Sequence, residues 1–195
     1  MTNTQDALQI VHADGVAPQR WRNGGGWTRE LLAWPSTDWI VRVSVADIEA
    51  DGPFSAFPGV ERWFAVLDGD GVALAHDGGE TIVLRAADAL HRFRGDEASD
   101  CRLLGGASLD FNLMVRRDAG AATVAPLPSG RALTSDWSAC FAATPARVRL
   151  AGEVAWTALP ARALAWTTAP HRLEIDAPPD ARGWRIDVGT TKVAG

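Results

Sequence analysis

The chain has no tyrosine, a single lysine, two methionines and two cysteines in 195 residues. Cys101 and Cys140 form neither a C-x-x-C pair nor a zinc spacing, so nothing signals thiol redox chemistry, and a cytosolic chain keeps both reduced. The four histidines, His12, His76, His91 and His171, are far apart and form no H-x-H or H-x-x-x-H motif. No metal site is expected from them. No run approaches the ~20 apolar residues of a membrane span. The first residues lack the basic and apolar regions of a signal peptide. A cytoplasmic protein without a membrane partner is the expectation. The net charge is −5 and the longest basic run is Arg116-Arg117, a pattern that repels phosphate backbones and argues against nucleic acid. Neither a P-loop, nor a dinucleotide fingerprint, nor a Gly-x-Ser-x-Gly elbow occurs.

Hydrophobic residues make up 47% of the chain, with nine Trp, 19 Gly and 11 Pro, which suits a globular core with many turns. The period of the pattern is 2. In Trp39–Ala46 the residues Val41, Val43 and Val45 share one face, and Arg42 and Ser44 the other. In Asp110–Arg116 the residues Phe111, Leu113 and Val115 oppose Asp110, Asn112 and Arg116. Similar runs cover Leu8–His12, Thr28–Trp34, Arg62–Leu67, Val72–Ala75 and Thr81–Arg85. More follow through Trp184–Val188, separated by turn signals such as Asp51-Gly52-Pro53 and Gly69-Asp70-Gly71. More than ten short strands with little helix predict an all-β sandwich or barrel.

An internal echo aligns Leu84–Phe93 with Leu164–Leu173, setting His91 opposite His171 and predicting a duplicated β-module with those histidines in structural roles. The boundary is expected within Arg117–Pro128. Two segments stand out as candidate sites. Trp21-Arg22-Asn23-Gly24-Gly25-Gly26 is a glycine-rich turn that lets backbone approach a ligand or another strand closely. Asp51–Arg62 is a loop rich in Phe, Pro and Gly that delivers Arg62 to the next strand, where its planar fork suits a carboxylate. The plain alternatives are an ordinary turn and a surface Arg paired with Glu61. Glu30, Asp47 and Asp110 could serve as acid or base only if the fold buries them together.

These two segments, with Arg42-Val43-Ser44-Val45-Ala46 and Asp110–Arg117, resemble the HutD/Ves family in order along Leu8–Arg117. The resemblance implies a bicupin: two cupin-like β-barrels (jelly rolls), residues 1–118 carrying the pocket and 119–195 packed with them as one unit. It implies a metal-free pocket, no cofactor, and an accessory or regulatory role in bacterial histidine utilisation. The expected partner is a small carboxylated metabolite such as formylglutamate or urocanate, and a homodimer is allowed. Arg22 stands where the family often has Lys, and Trp27 where a small apolar residue is common. The expected ligand-binding residues are Arg62 for a carboxylate and Arg42 for a second anionic group. Asn23, Ser44 and Asn112 supply hydrogen bonds, and Trp21 and Phe57 form walls. No catalytic residue is expected. The rivals are a cupin-type isomerase or dioxygenase and a carbohydrate-binding β-sandwich that stacks sugars on exposed Trp.

Overall fold

A computed structural model describes residues 8–76, 79–96, 98–128, 135–169 and 171–191. Among them there is one short 3-10 turn, Ala13–Gly15, and no α-helix; the rest of the regular structure is strand. No helix is long and apolar enough to cross a membrane.

The first strand is β1 (Gln9–His12), followed by β2 (Gln19–Arg20), β3 (Gly26–Trp34), β4 (Val41–Ile48) and β5 (Gly52–Phe54). Then come β6 (Val60–Asp68), β7 (Val72–His76), β8 (Thr81–Leu84), β9 (His91–Arg94), β10 (Ser99–Leu103) and β11 (Ser108–Arg116). The remaining strands are β12 (Gly120–Pro126), β13 (Trp137–Ala142), β14 (Ala146–Leu150), β15 (Thr157–Leu159), β16 (Ala163–Thr168), β17 (Leu173–Asp176) and β18 (Gly183–Thr190). They fall into two compact units.

The unit Ala17–Asp118 is two open antiparallel sheets, ordered β2-β3-β4-β11-β6-β9 and β5-β10-β7-β8. Its core between the sheets includes Phe64, Val66, Val72, Leu74, Phe93 and Cys101. The alternation reads correctly on the large sheet: Val41, Val43, Val45, Phe111, Leu113 and Val115 are each at most 1% exposed. The polar face of the same strands is also withdrawn from water, with Ser44, Asn112 and Asp110 all buried. Buried on both faces, β4 and β11 can carry polar residues inside only where an interior needs them. The short strand β5 contains Pro53 and pairs only with β10, the edge position in which a residue without an N–H is tolerated.

The other unit joins the described residues up to Val16 with those from Ala119 onward, in sheets β1-β16-β13-β18-β12 and β15-β14-β17. Here β1 pairs with β16 from Gln9↔Trp166 to His12↔Ala163, so the first strand belongs with the later residues. Leu127, Cys140, Val148, Leu159 and Leu173 are core, with Leu8 and Ile10 packed on it.

The strand orders of the two units correspond. β12-β18-β13-β16 repeats β4-β11-β6-β9, and β17-β14-β15 repeats β10-β7-β8. This differs from the alignment expected in the sequence. His91 opens β9, whose counterpart is β16, whereas His171 lies in the connection after β16. The shared His-Arg is thus a coincidence in an Ala- and Arg-rich chain, and the echo is displaced by one strand. Nor, among the described residues, does the pairing close a barrel: each unit shows two open sheets.

Candidate functional site

The site is built on the inward polar face of the large sheet of Ala17–Asp118. Strand register stacks its side chains in rows. Arg42 on β4, Met114 on β11 and Arg62 on β6 are paired neighbours, with Phe93 beside Arg62 on β9. In the next row stand Glu30, Ser44, Asn112, Phe64 and His91. A cavity of about 820 Å³ opens over these rows. All seven residues expected at the site line it: Trp21, Asn23, Arg42, Ser44, Phe57, Arg62 and Asn112. Arg20, Arg22, Thr28, Phe54 and Met114 line it too and were not anticipated. Arg22 and Thr28 lie within or beside the glycine-rich motif, which could have signalled them.

Arg62 is the unusual group. It is 6% exposed. Among the described residues no carboxylate pairs with it, because the neighbouring Glu61 is held by Arg92. Its Nη2 donates to Asn112 Oδ1 at 3.1 Å and its Nη1 reaches the Ser55 carbonyl at 3.5 Å, while Nε has no partner. The rings of Phe93, Phe54 and Phe57 lie 5.0, 5.4 and 5.5 Å from its Cζ. Burial, and then the nearby Arg42, push its pKa down to about 10, so it is still a cation at neutral pH. A buried cation with aromatic walls, an unpartnered donor and no counter-charge has the chemistry to take an anion.

The other side chains frame that cation. Arg42 turns its Nε to Glu30, so contact with a ligand anion requires it to share that acid. Asn112 accepts from Arg62 through Oδ1, which orients its amide N–H groups away from the guanidinium. Trp21 is fixed as a wall by donating Nε1–H to Thr28 Oγ1 at 2.7 Å. The turn that carries Trp21 and Asn23 is rigid for identifiable reasons. Gly24 has φ +75°, Asn23 Oδ1 accepts the Gly25 N–H at 3.0 Å, and a Cβ on Gly26 would lie 2.2 Å from the Asp47 carbonyl oxygen. Across the cavity, the Phe57–Gly59 turn is held from both sides. The Phe57 N–H donates to Gly95 O at 2.7 Å and the Gly59 N–H to Asp96 Oδ1 at 2.8 Å. The Gly59 amide and Arg117 hold the Asp96 carboxyl down at about 2.

Asp110, one row deeper, is fully buried on the same face of β11 as Asn112. Ser108 Oγ donates to its Oδ1 at 2.9 Å and its Oδ2 has no partner. Burial raises its pKa to about 8, against the smaller opposing effect of Ser108, so it is a neutral acid at pH 7. Glu30 and Asp47 are elsewhere engaged, with Arg42 and Arg29. The three carboxylates do not converge. Among the described residues no three metal-ligating side chains come together.

The other unit treats a buried guanidinium differently. Arg185 on β18, the counterpart of β11, is 3% exposed. It donates Nε–H to Asp187 Oδ2 at 2.7 Å and Nη2–H to Oδ1 at 3.1 Å, and Ser138 also donates to that carboxylate. Its charge is neutralised within the protein, whereas that of Arg62 is not.

This fold and these motifs have known relatives. A structure of a conserved protein of unknown function from Pseudomonas aeruginosa PAO1 superposes with TM-score 0.82 at 28% identity, covering 94% of this chain and 99% of that one. HutD from Pseudomonas fluorescens SBW25 gives 0.81 at 26% identity, over 95% and 100%. Oxalate decarboxylase from Bacillus subtilis shares the fold alone, at TM-score 0.62 and 6% identity. In sequence, the chain is 41% identical over 112 residues to an uncharacterized 21.2 kDa protein in the hutC 3' region of Pseudomonas putida, covering 55% of this chain and 57% of that protein. It is also 41% identical over 101 residues to Protein Ves of Citrobacter koseri, covering 50% and 52%. The match thus spans about half the length of these relatives. The family profile reaches further, over residues 13–184, and on that extent the chain belongs to the HutD family.

Proposed function

We propose that this chain binds a small carboxylated metabolite at Arg62 and serves as an accessory or regulatory binder in histidine utilisation. One observation carries the reading: a buried guanidinium, lacking an internal counter-charge, faces a cavity large enough for such a molecule. The hut context comes from the names of its relatives, HutD itself and the protein of the hutC 3' region. Formylglutamate and urocanate are the first compounds to try. Arg62 takes a carboxylate in the plane of its fork, since three Phe rings crowd the guanidinium. Arg42 meets a second anionic group, and Ser44, Asn23 and Asn112 orient the molecule. The matching strand orders favour reading the two units as a bicupin.

Calorimetric titration of the full chain with both compounds tests this. Wild type should bind one of them saturably, and Arg62→Ala should weaken binding at least tenfold, or ~1.4 kcal/mol. Undiminished affinity in a folded Arg62→Ala variant would place the ligand elsewhere. A second reading is a cupin-type isomerase or dioxygenase; Asp110, a neutral acid buried one row from Asn112 on the same face of β11, supports proton transfer of the isomerase kind. Proton spectra of each compound incubated with the protein decide it, since only an enzyme converts its ligand.

A further inference from the structure

Beyond Phe93, which packs on Arg62, the two sheets of Ala17–Asp118 are tied together by a pair of imidazoles. His76 ends β7 in the four-stranded sheet, and His91 begins β9 at the edge of the six-stranded one. Their Nε2 atoms face each other at 3.1 Å, and both side chains are half-buried. The other nitrogen of His76, Nδ1, is held by Ser99 Oγ at 2.8 Å, and Ser99 is itself buried. Phe93 packs against both rings, 4.9 Å from His76 and 5.4 Å from His91. Two neutral imidazoles in this arrangement share one N–H···N bond.

The same pair offers two nitrogens of the kind that ligate metals. With Zn–N bonds of about 2.0–2.1 Å, two tetrahedral ligands stand ~3.3 Å apart. Zinc therefore needs the separation to open by a few tenths of an ångström and both rings to turn, since with centroids 5.3 Å apart their Nε2 atoms point almost directly at each other. A hydrogen bond from the distal nitrogen that orients a ligating imidazole, here supplied by Ser99, is the usual support for such a ligand. We propose that His76 and His91 bind a borderline divalent ion, such as zinc, nickel or copper, through their Nε2 atoms, with water completing the coordination. Loading needs no net proton release. The imidazole that donates the shared bond moves its proton from Nε2 to Nδ1, and both Nε2 lone pairs then face the ion. His76 Nδ1–H donates to Ser99 Oγ in that state. The ion would clasp the end of β7 in one sheet to the edge strand β9 of the other. The pair is 15 residues apart in sequence, outside any histidine motif spacing, and neither residue lines the carboxylate cavity.

The test is calorimetric titration of the full chain, freed of any histidine tag, with zinc chloride and with magnesium chloride as a hard-ion control. Saturable binding of one zinc per chain is expected, with none for magnesium. His76→Asn and His91→Asn should each weaken zinc at least tenfold, and Ser99→Ala about tenfold. Absence of saturable zinc binding, or unchanged affinity in both histidine variants, overturns the proposal. Should a variant fail to fold, nitrogen spectra of the wild-type imidazoles decide instead. Zinc must place both His76 and His91 in the Nδ1–H tautomer, and unmoved resonances refute the site. Metabolite binding by His76→Asn, whose side chain is on the four-stranded sheet and outside the cavity lining, separates this outcome from failure at Arg62.

Discussion

Arg62 and Asp110 are both buried on one sheet face and both held against their solvation, one as a cation without an acid and the other as an acid without a base. For Asp110 the sign of the pH effect follows directly. A folded-state pKa of about 8, against an ordinary value of 3.8, means that the folded chain keeps a proton which the unfolded chain releases. Its contribution to stability is therefore full below pH ~4 and is lost as pH rises toward 8. Asp110→Asn removes the loss while keeping an oxygen for Ser108, and should stabilise the protein by roughly 1–3 kcal/mol near pH 8. Urea midpoints for both proteins from pH 5 to about 8 check this: the gap should widen with pH, and a constant gap contradicts it. Arg62→Met should likewise raise the melting temperature while removing metabolite binding, because an isolated buried charge disfavours folding. A lower melting temperature in that variant would make Arg62 a structural residue. That Trp21, Asn23, Arg42, Ser44, Phe57, Arg62 and Asn112 line one cavity was legible in motif, alternation and the family resemblance. Alternation alone does not turn Ser44 and Asn112 inward, because a period of 2 separates two faces without saying which one meets water; the resemblance assigns them to the pocket.

At the scale of elements, the strand alternation marked most of the sheet. It missed β5 because Asp51-Gly52-Pro53 reads as a turn, and only pairing to an edge of β10 makes that segment a strand. The repeat was legible as an echo but displaced by one strand, since short Ala-Arg runs match at several offsets and strand order is a long-range property. The glycine-rich turn is where element and site meet. Gly26→Ala forces a methyl group into the Asp47 carbonyl and should break the β3–β4 pairing beside it, costing ~2 kcal/mol or more. Gly15→Ala, with nothing within 4 Å of the added carbon, is the control and should change stability by less than ~0.5 kcal/mol. Denaturant melts of the two variants give the comparison; equal effects would mean that the close approach at Gly26 is not restrictive. Weakened metabolite binding should accompany the first substitution alone, since Trp21 and Asn23 ride on that turn.

At the scale of the whole molecule, the two units put a buried arginine to different ends. Arg185 is closed off by Asp187 and Ser138, so Ala119 onward should bind no anion, and titration should find one metabolite per chain. Asp187→Asn leaves Arg185 without its charge partner and should destabilise the protein by ~3–5 kcal/mol. Thermal melts will show this; a neutral effect would mean that the pair is relaxed by water. The placement of β1 has a further consequence, for the order of assembly. Gln9 and Trp166 are partners although nearly the whole chain separates them, so β1, synthesised well before its neighbour, can pair only after β16 is made. Through most of synthesis that strand has no ladder, while β3, β4, β6 and β11 are already complete. Such a contact raises the entropy of loop closure and slows the last stage of folding. In pulsed hydrogen exchange, amides of Gln9–His12 should therefore gain protection after those of Val41–Ile48, and the unpaired edge of β16 is the place where a nascent chain is open to a stray strand from a neighbour.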